Sequence, residues 1–316
     1  MSRNVVLSRK IETSEAGFRL DKLLSVSYPE FSRNHIQKWI EQGNVTLDGK
    51  KVKSKFILKG GEQIEVNATL EPIVEDQPES IPLKVIHEDE EILVINKQAG
   101  LVVHPGAGNR SGTLLNGLLN HNEELRLLPR AGIIHRLDKD TSGVMVIAKT
   151  EKSYLDLINQ MKDREVIKLY QALVIGNISL GKIINLPIDR HPKQRTKQAV
   201  IKNGKEAITQ YKINKKFNGF TLLDVEIKTG RTHQIRVHLS HDKTPILGDS
   251  TYGGKRFFPK GISREARELI IRFNRQALHA ISIEFNHPRT KKKVIFKTPI
   301  AKDIKDLINS LKKLEG

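Results

Sequence analysis

Nine residues, HRLDKDTSG at positions 135–143, place four charged side chains between two apolar runs that are typical of buried β-strands. The flanking runs are Ile133-Ile134 and Val144–Ala148. Charged groups beside buried strands cost free energy unless they are paired or used in chemistry. The segment is therefore the first candidate for a functional site, and a solvated turn is the alternative.

The charge balance narrows the kind of partner. The 316 residues include 54 Lys and Arg against 36 Asp and Glu, a formal net charge of +18. Such an excess of positive charge indicates a polyanionic binding partner, most commonly nucleic acid. The chain has no cysteine, which excludes disulfides and thiolate metal sites, and it has no apolar run long enough to cross a membrane. We expect a cytoplasmic monomer with no membrane partner.

Residues 1–67 predict a small α/β module. Two amphipathic helices are expected around Leu20–Leu24 and Ile36–Ile40, with a hairpin turn at Asp48-Gly49 and a last strand that ends at Val66. The order of elements resembles the RNA-binding domain named after ribosomal protein S4. The polar helix faces carry cations that suit a phosphate backbone, namely Arg19, Lys22, Arg33, His35 and Lys38. A merely soluble surface is the alternative.

Acidic residues and three prolines mark residues 68–82 as a linker. Residues 83–316 then form a C-terminal body in which predicted strands follow one another without a crossover helix. A mixed, largely antiparallel α+β sheet is therefore expected. The predicted strands are 83–86, 92–95, 144–148, 170–175, 222–227 and 294–296, and the predicted helices are 113–119, 152–161 and 303–314. Neither a dinucleotide-binding glycine motif nor a P-loop is present.

Asp138 and Asp140 are the acidic candidates of the charged segment. If the chain is extended there, residues two apart project to the same side. A single sheltered carboxylate can act as nucleophile or base, and it needs a nearby cation to stay ionised. Arg136 is too close in sequence to decide this role, so a distant arginine is the better candidate.

The run TGRTHQIRVHLS, residues 229–240, supplies such an arginine. Gly230 permits a tight turn that would point Arg231 inward, and arginine suits a bidentate contact with a desolvated carboxylate. A surface arginine after a turn is the alternative. Histidines lie at His233, His238 and His241, but their spacing does not match a zinc motif, so we expect no metal.

Two further segments could serve a substrate. Tyr170 lies in an alternating strand and would be a core residue unless it faces a pocket, where its ring could stack on a base and its hydroxyl handle a proton. The Gly-rich run Gly100–Leu119 leads into a helix and could hold a phosphate at the helix N-terminus, although many such loops are only turns.

Together these segments resemble the pseudouridine synthases of the RluA class, most closely the RluD-like members. The likeness runs through GLVVHPGAGN, IIHRLDKDTSGVMVIAKT, REVIKLYQALV, TGRTHQIRVHLSH and RQALHA, and it covers nearly the whole body. One departure is Gln98, where the family more often has proline. The resemblance implies that uridine in RNA is isomerised without a cofactor after being flipped out of its helix.

The resemblance also implies roles for individual residues. Asp138 would be the catalytic aspartate, Tyr170 the active-site tyrosine and Arg231 the basic partner, while the sequence leaves open whether Asp138 attacks the sugar or the base. His135 and Arg136 would support the displaced strand. The implied substrate is large-subunit ribosomal RNA.

A basic segment adds sequence evidence for RNA contact. No acidic residue follows its cations, Arg190, Lys193, Arg195 and Lys197, until Glu206, and like-charge repulsion makes such an arm hard to explain as packing. Two other function classes stay open. One is a noncatalytic RNA-binding protein, and the other is a hydrolytic glycosidase that uses Asp138 and Asp140 as a pair.

Overall fold

A computed structural model of the chain describes residues 3–29, 31, 33–106, 108–253, 258–259 and 261–314. They form an N-terminal module and a larger body built on a nine-stranded sheet. Within these ranges, no helix has both the length and the apolar character needed to cross a bilayer.

In its described residues, the N-terminal module is a four-stranded sheet with two packed α-helices. Its elements are β1 (Arg3–Lys10), α1 (Leu20–Ser27), α2 (Arg33–Gln42), β2 (Val45–Leu47), β3 (Lys50–Lys51) and β4 (Gln63–Leu70). The strand order is β1-β4-β2-β3. Asp48 and Gly49 both have positive φ, 47° and 72°, as a two-residue hairpin turn requires. The sequence did not indicate β1, because charged residues flank its short apolar core, of which Val5 is buried and Val6 exposed.

The residues after β4 lie on the body. Strand β4 continues to Leu70, three residues beyond the end of the predicted module. Val74 is buried in the core of the body. The Gln77 carbonyl accepts from Asn116 Nδ2 at 2.7 Å, and the Glu79 backbone N–H donates to the Asn116 carbonyl at 3.0 Å. These contacts fix the connection between the two parts of the chain.

The body confirms the expected mixed α+β architecture. Its sheet contains β5 (Val85–Glu88), β6 (Ile92–Lys97), β7 (Ser142–Ala148), β8 (Ile167–Ile175), β9 (Lys182–Asn185), β12 (Ile208–Phe217), β13 (Phe220–Ile227), β14 (Leu278–Asn286) and β15 (Lys293–Lys297). The order is β5-β6-β7-β14-β8-β13-β12-β9, with β15 also on β14. In the described part of the sheet β7 and β14 pair in parallel and all other neighbours are antiparallel. Strands β10 (Ile188–Arg190) and β11 (Gln198–Val200) form a separate hairpin.

The described residues of the body also form five α-helices: α3 (Leu114–His121), α4 (Glu151–Lys162), α5 (Gln234–His241), α6 (Arg264–Arg272) and α7 (Lys302–Lys313). The apolar stripe predicted for α7 is buried, at Ile304, Leu307, Ile308 and Leu311. Helix α5 was not predicted, because Arg236 and His238 interrupt its apolar pattern although both are buried.

The start of β7 brings the charged segment close to the centre of the sheet. Gly143 has φ of 124°, and a Cβ built on it would lie 2.2 Å from the carbonyl oxygen of Ala280 in β14. No side chain fits there, so glycine allows the two parallel strands to meet. The loop that precedes β7 is thereby held where β7, β8 and β14 adjoin.

Candidate active site

The charged segment is a loop whose backbone is fixed from three directions. The Thr141 N–H donates to the Asp138 carbonyl at 3.1 Å and closes a turn. The Lys139 carbonyl accepts from the Gly100 N–H at 2.9 Å, and Arg275 Nη1 donates to the Asp140 carbonyl at 3.0 Å. The loop therefore presents Asp138 in a fixed position before any substrate arrives.

The buried side chain of Lys97 also holds this loop in place. Its side chain is buried, and its ammonium donates to the carbonyls of Gln98 at 2.9 Å, Leu101 at 2.8 Å and Lys139 at 3.0 Å. Burial lowers the pKa of Lys97 to about 7, against the opposing charges of Asp140 and Asp138. Since the Lys97 ammonium donates to three backbone carbonyls, Lys97 has a structural role.

A buried arginine holds the Asp138 carboxylate. Arg236 Nη1 donates to Asp138 Oδ2 at 2.9 Å, while its Nε and Nη2 donate to Asp249 Oδ2 at 2.7 Å and Oδ1 at 3.0 Å. The side chains of Arg236 and Asp249 are 7% and 1% exposed, and that of Asp138 is 18% exposed. Burial alone disfavours the guanidinium charge, but the two carboxylates outweigh it and raise the pKa of Arg236. Asp138 thus faces a permanent cation.

The expected contact between Arg231 and Asp138 is wrong, because Arg236 makes it. Arg231 lies in the turn before α5, and its Nε donates to the Glu206 carbonyl at 2.9 Å. Gln234 Oε1 accepts from the Arg231 backbone N–H at 3.0 Å and fixes that turn. The missed signal was an arginine at a helical position between apolar residues, which is costly to bury unless carboxylates pair with it.

Asp138 opens into a cavity of about 560 Å³. Among the described residues that line it, Asp138 has the only carboxylate side chain, and Asp140 is not part of the lining. The cationic lining residues are Arg130, Arg136, Lys168, Lys228, Arg231 and Arg236. A single acid in a positively charged cavity suits an anionic substrate and gives no second carboxylate for opposed acid and base roles.

Tyr170 lines this cavity from strand β8, and its functional role stays a prediction. It is 6% exposed, and burial followed by the charge of Asp138 raises the pKa of its hydroxyl well above the ordinary value. The phenol therefore stays protonated at neutral pH. Lys168, two residues earlier on the same strand, also lines the cavity, and burial lowers its pKa to about 8.

His135 lies in the cavity wall, and its contact with the displaced strand stays a prediction. Its Nε2 accepts from the Val146 backbone N–H at 3.1 Å, and burial lowers the pKa of the ring to about 3. The neutral imidazole thus holds the loop to β7. Arg136 is exposed at the cavity edge, where a contact with RNA remains a prediction.

Helix α3 does not offer the free N-terminus that a phosphate cradle needs. The Gly112 N–H donates to Glu79 Oε1 at 2.9 Å, and the Thr113 N–H donates to Asn116 Oδ1 at 3.1 Å. The Gly-rich run instead contributes His104 to the cavity, where burial and then Arg130 lower its pKa to about 4. This run contributes to the shape of the cavity.

His233 and Tyr252 are site residues to which the sequence gave no role. His233 is the N-cap residue immediately before α5, with φ of 56°, and its Nε2 lies 3.9 Å from Asp138 Oδ1. Its Nδ1 is 2.7 Å from the Tyr252 hydroxyl, whose ring lies 5.1 Å from the Arg236 guanidinium carbon. Another histidine of the same run, His238, bonds to Thr209 and to the Leu186 carbonyl.

In the N-terminal module a buried carboxylate orients two of the predicted RNA-contact residues. Arg19 Nη2 and Arg33 Nη2 donate to Asp21 Oδ2 at 3.0 and 2.8 Å, and both arginine side chains remain partly exposed. Lys22 and Lys38 are exposed, whereas His35 Nδ1 lies 3.1 Å from the Glu151 carboxylate of the body.

Replacement of Asp21 by Asn is expected to destabilise the module by about 3 kcal/mol. Burial alone would raise the pKa of Asp21, but hydrogen bonds from Arg33, Gln37 and Arg19 lower it to about 2. Its contribution to stability is thus complete above pH 3.8 and is lost as pH falls through about 2. Urea unfolding followed by the fluorescence of Trp39, the single tryptophan, measures the change.

Glu41→Gln, at an exposed position of α2, is the matched control for this variant and should shift the unfolding midpoint little. An unchanged midpoint in Asp21→Asn would mean that the carboxylate does not organise the module.

The predicted basic arm is the hairpin of β10 and β11 with its connecting turn. Arg190, Lys193 and Arg195 are exposed and Lys197 is half-buried. The turn is closed by the Lys197 N–H, which donates to the Gln194 carbonyl at 2.8 Å. At the start of β11, the Gln198 N–H donates to the Tyr252 hydroxyl at 3.0 Å. The arm is therefore anchored at the edge of the site.

Comparisons with known proteins agree with this architecture. Residues 91–241 match the family model described as RNA pseudouridylate synthase, and residues 18–64 match the S4 domain. The chain is 44% identical over 302 residues to a ribosomal large subunit pseudouridine synthase D of Xanthomonas campestris, covering 96% of this chain and 91% of that protein. It is 44% identical over 313 residues to the protein of that name from Yersinia pestis, covering 99% and 96%.

Solved structures support the fold of the body. The human RNA pseudouridylate synthase domain containing 4 superposes with a TM-score of 0.56 at 24% identity, covering 72% of this chain and 92% of that one. At this level the similarity concerns the fold alone.

Proposed function

Since this chain belongs to the RNA pseudouridine synthase family, we propose that it isomerises uridines of large-subunit ribosomal RNA, with Asp138 as the catalytic carboxylate. The observation that carries the assignment of the residue is the single carboxylate in a cationic cavity, held by Arg236 at 2.9 Å. The named substrate of the relatives supports the choice of RNA. We further propose that the enzyme works as a cytoplasmic monomer without a cofactor.

In the proposed reaction the glycosidic bond between C1′ and N1 breaks, uracil turns within the cavity, and a bond forms between C1′ and C5. The C5 proton leaves and N1 gains a proton, so the product is an isomer and no co-reactant is consumed. Asp138 would stabilise positive character at the sugar or form a temporary covalent bond. Arg236 would keep that carboxylate ionised and oriented.

Tyr170 and the cavity would handle the base. The reacting atoms of a stacked uridine are inaccessible, so the nucleotide must be flipped out to reach Asp138. The Tyr170 ring offers a stacking surface in the cavity wall, and its protonated hydroxyl can assist the final proton transfer.

The experiment incubates purified protein, with EDTA present, with unmodified large-subunit ribosomal RNA and maps pseudouridine by chemical labelling and primer extension. Conversion at discrete positions without release of free uracil is the expected outcome. Release of uracil would favour a glycosidase, and RNA binding without any conversion would favour a noncatalytic protein.

The basic arm is expected to make the binding of RNA depend on salt. Each phosphate contact contributes a slope of about 0.7 to 0.9 in log affinity against log salt. Replacing Lys193, Arg195 and Lys197 together by Ala should therefore reduce the slope by about 2, as measured by fluorescence anisotropy. Ala at Lys291 and Lys292, on the exposed turn before β15, is the matched control, and an equal loss there would contradict a specific role for the arm.

A further inference from the structure

The basic arm and the Asp138 carboxylate are joined by a continuous set of contacts through Tyr252. On the arm side, the Gln198 backbone N–H donates to the Tyr252 hydroxyl at 3.0 Å. On the cavity side, the same hydroxyl lies 2.7 Å from His233 Nδ1, and His233 Nε2 lies 3.9 Å from Asp138 Oδ1. One side chain therefore touches both the hairpin expected to hold RNA and a group beside the carboxylate.

The hydrogen bonds around Tyr252 favour one tautomer of His233. Because the Tyr252 oxygen accepts from Gln198, its own proton is free to be donated to His233 Nδ1. Burial lowers the pKa of His233, which favours the neutral ring at pH 7. When Nδ1 accepts from Tyr252, the neutral ring carries its proton on Nε2. That N–H faces Asp138, and it becomes a potential donor to the carboxylate or to a substrate oxygen placed between them.

Tyr252 is also held by the group that orients Asp138. Its backbone N–H donates to Asp249 Oδ1 at 3.1 Å, and its ring lies 5.1 Å from the guanidinium carbon of Arg236. A shift of Tyr252 would thus disturb both the arginine that holds the carboxylate and the histidine that faces it.

Gln198, at the arm end of this connection, is adjacent to the turn that carries the exposed cations of the arm. Gln198 is paired with Arg190 in the hairpin, and Lys193 and Arg195 lie in the turn between them. Val200 packs with Tyr252 against a small cluster that contains Val237 of α5. A phosphate backbone bound to the turn would therefore contact residues next to Gln198 in the same hairpin.

We propose that Tyr252 is a positioning residue that couples the seating of RNA on the basic arm to the arrangement of His233 and Arg236 around Asp138. The proposal rests on the proposed function. It requires that the arm raise turnover as well as affinity, and that this contribution to turnover pass through the Tyr252 hydroxyl.

The test compares single-turnover rates, RNA affinity and thermal stability of Tyr252→Phe with those of the parent enzyme. The variant keeps the ring under Arg236 and loses the hydroxyl, so we expect turnover to fall about tenfold with the dissociation constant within about twofold. Gln198→Pro removes the same hydrogen bond from the arm side and should lower turnover similarly. Tyr211→Phe, which removes a hydroxyl bonded to Asp242 at 3.0 Å outside the cavity, is the control and should keep parent turnover.

A double-mutant cycle separates coupling from simple damage. Ala at both Lys193 and Arg195 should lower turnover about fivefold at saturating RNA in the parent, and by less than about twofold in the Tyr252→Phe background. Equal losses in both backgrounds, or parent turnover in Tyr252→Phe, would overturn the coupling. If the parent enzyme forms no pseudouridine, the proposed function fails instead, so the two failures are distinguishable.

Discussion

The Asp138→Asn variant is expected to bind ribosomal RNA as the parent does and to lose at least about 10⁴-fold in turnover. Asparagine keeps the shape of the side chain but can neither form the temporary bond nor offer a full negative charge to the sugar. Arg236 would retain Asp249 as a partner, so the fold should remain intact. Single-turnover pseudouridine formation and RNA binding, measured on the same preparation, provide the two readouts.

Asp140→Asn is the matched control, because Asp140 is two residues away and its side chain is not part of the cavity lining. It should retain most of the parent turnover. Comparable losses in both variants would point to a disturbed loop, and parent-like turnover in Asp138→Asn would remove Asp138 from the chemistry.

Arg236→Lys is expected to lower turnover by about 10² to 10³-fold while RNA binding changes little. The guanidinium donates from three nitrogens to two carboxylates, whereas an ammonium is a single point of charge and cannot reproduce that arrangement. Asp249, which is 1% exposed, would lose its bidentate partner, so the free energy of unfolding should also fall. For Arg236→Ala, which removes the cation altogether, the expected loss is on the order of 3 to 5 kcal/mol.

Arg231→Lys makes the same chemical change five residues earlier and separates the two arginines of the motif. Arg231 contacts a backbone carbonyl, so its variant should lose far less turnover and almost no stability. A larger loss at Arg231 than at Arg236 would mean that the ion pair with Asp138 is not what sustains the reaction.

Periodicity in the sequence was sufficient for the central elements. The apolar run at 144–148 lies within β7, and the stripe of α7 is buried as predicted. Helix α5 and strand β1 were not predicted, because their polar or charged residues obscure the apolar periodicity. In α5 those polar residues, Gln234, Arg236 and His238, are buried and paired, which depends on partners far away in the chain.

The position of Asp138 could be predicted from the sequence, whereas its partner could not. A charged residue between buried strands is visible in a single chain. Which of two arginines reaches it depends on the register of α5 and on Asp249, whose carboxylate takes two of the three hydrogen bonds from Arg236. The roles of Tyr252 and His233 were hidden for the same reason, since each is defined by contacts that only the tertiary fold creates.

The connection between the module and the body has a consequence for the choice of nucleotide. Because Val74, Gln77 and Glu79 are packed or hydrogen-bonded onto the body, the segment that connects the module to the body is not a flexible linker. An RNA bound by the module would therefore lie at a fixed distance from the cavity. On the proposed function, the uridine that reaches Asp138 would then depend on this distance as well as on the groups beside the reacting atoms.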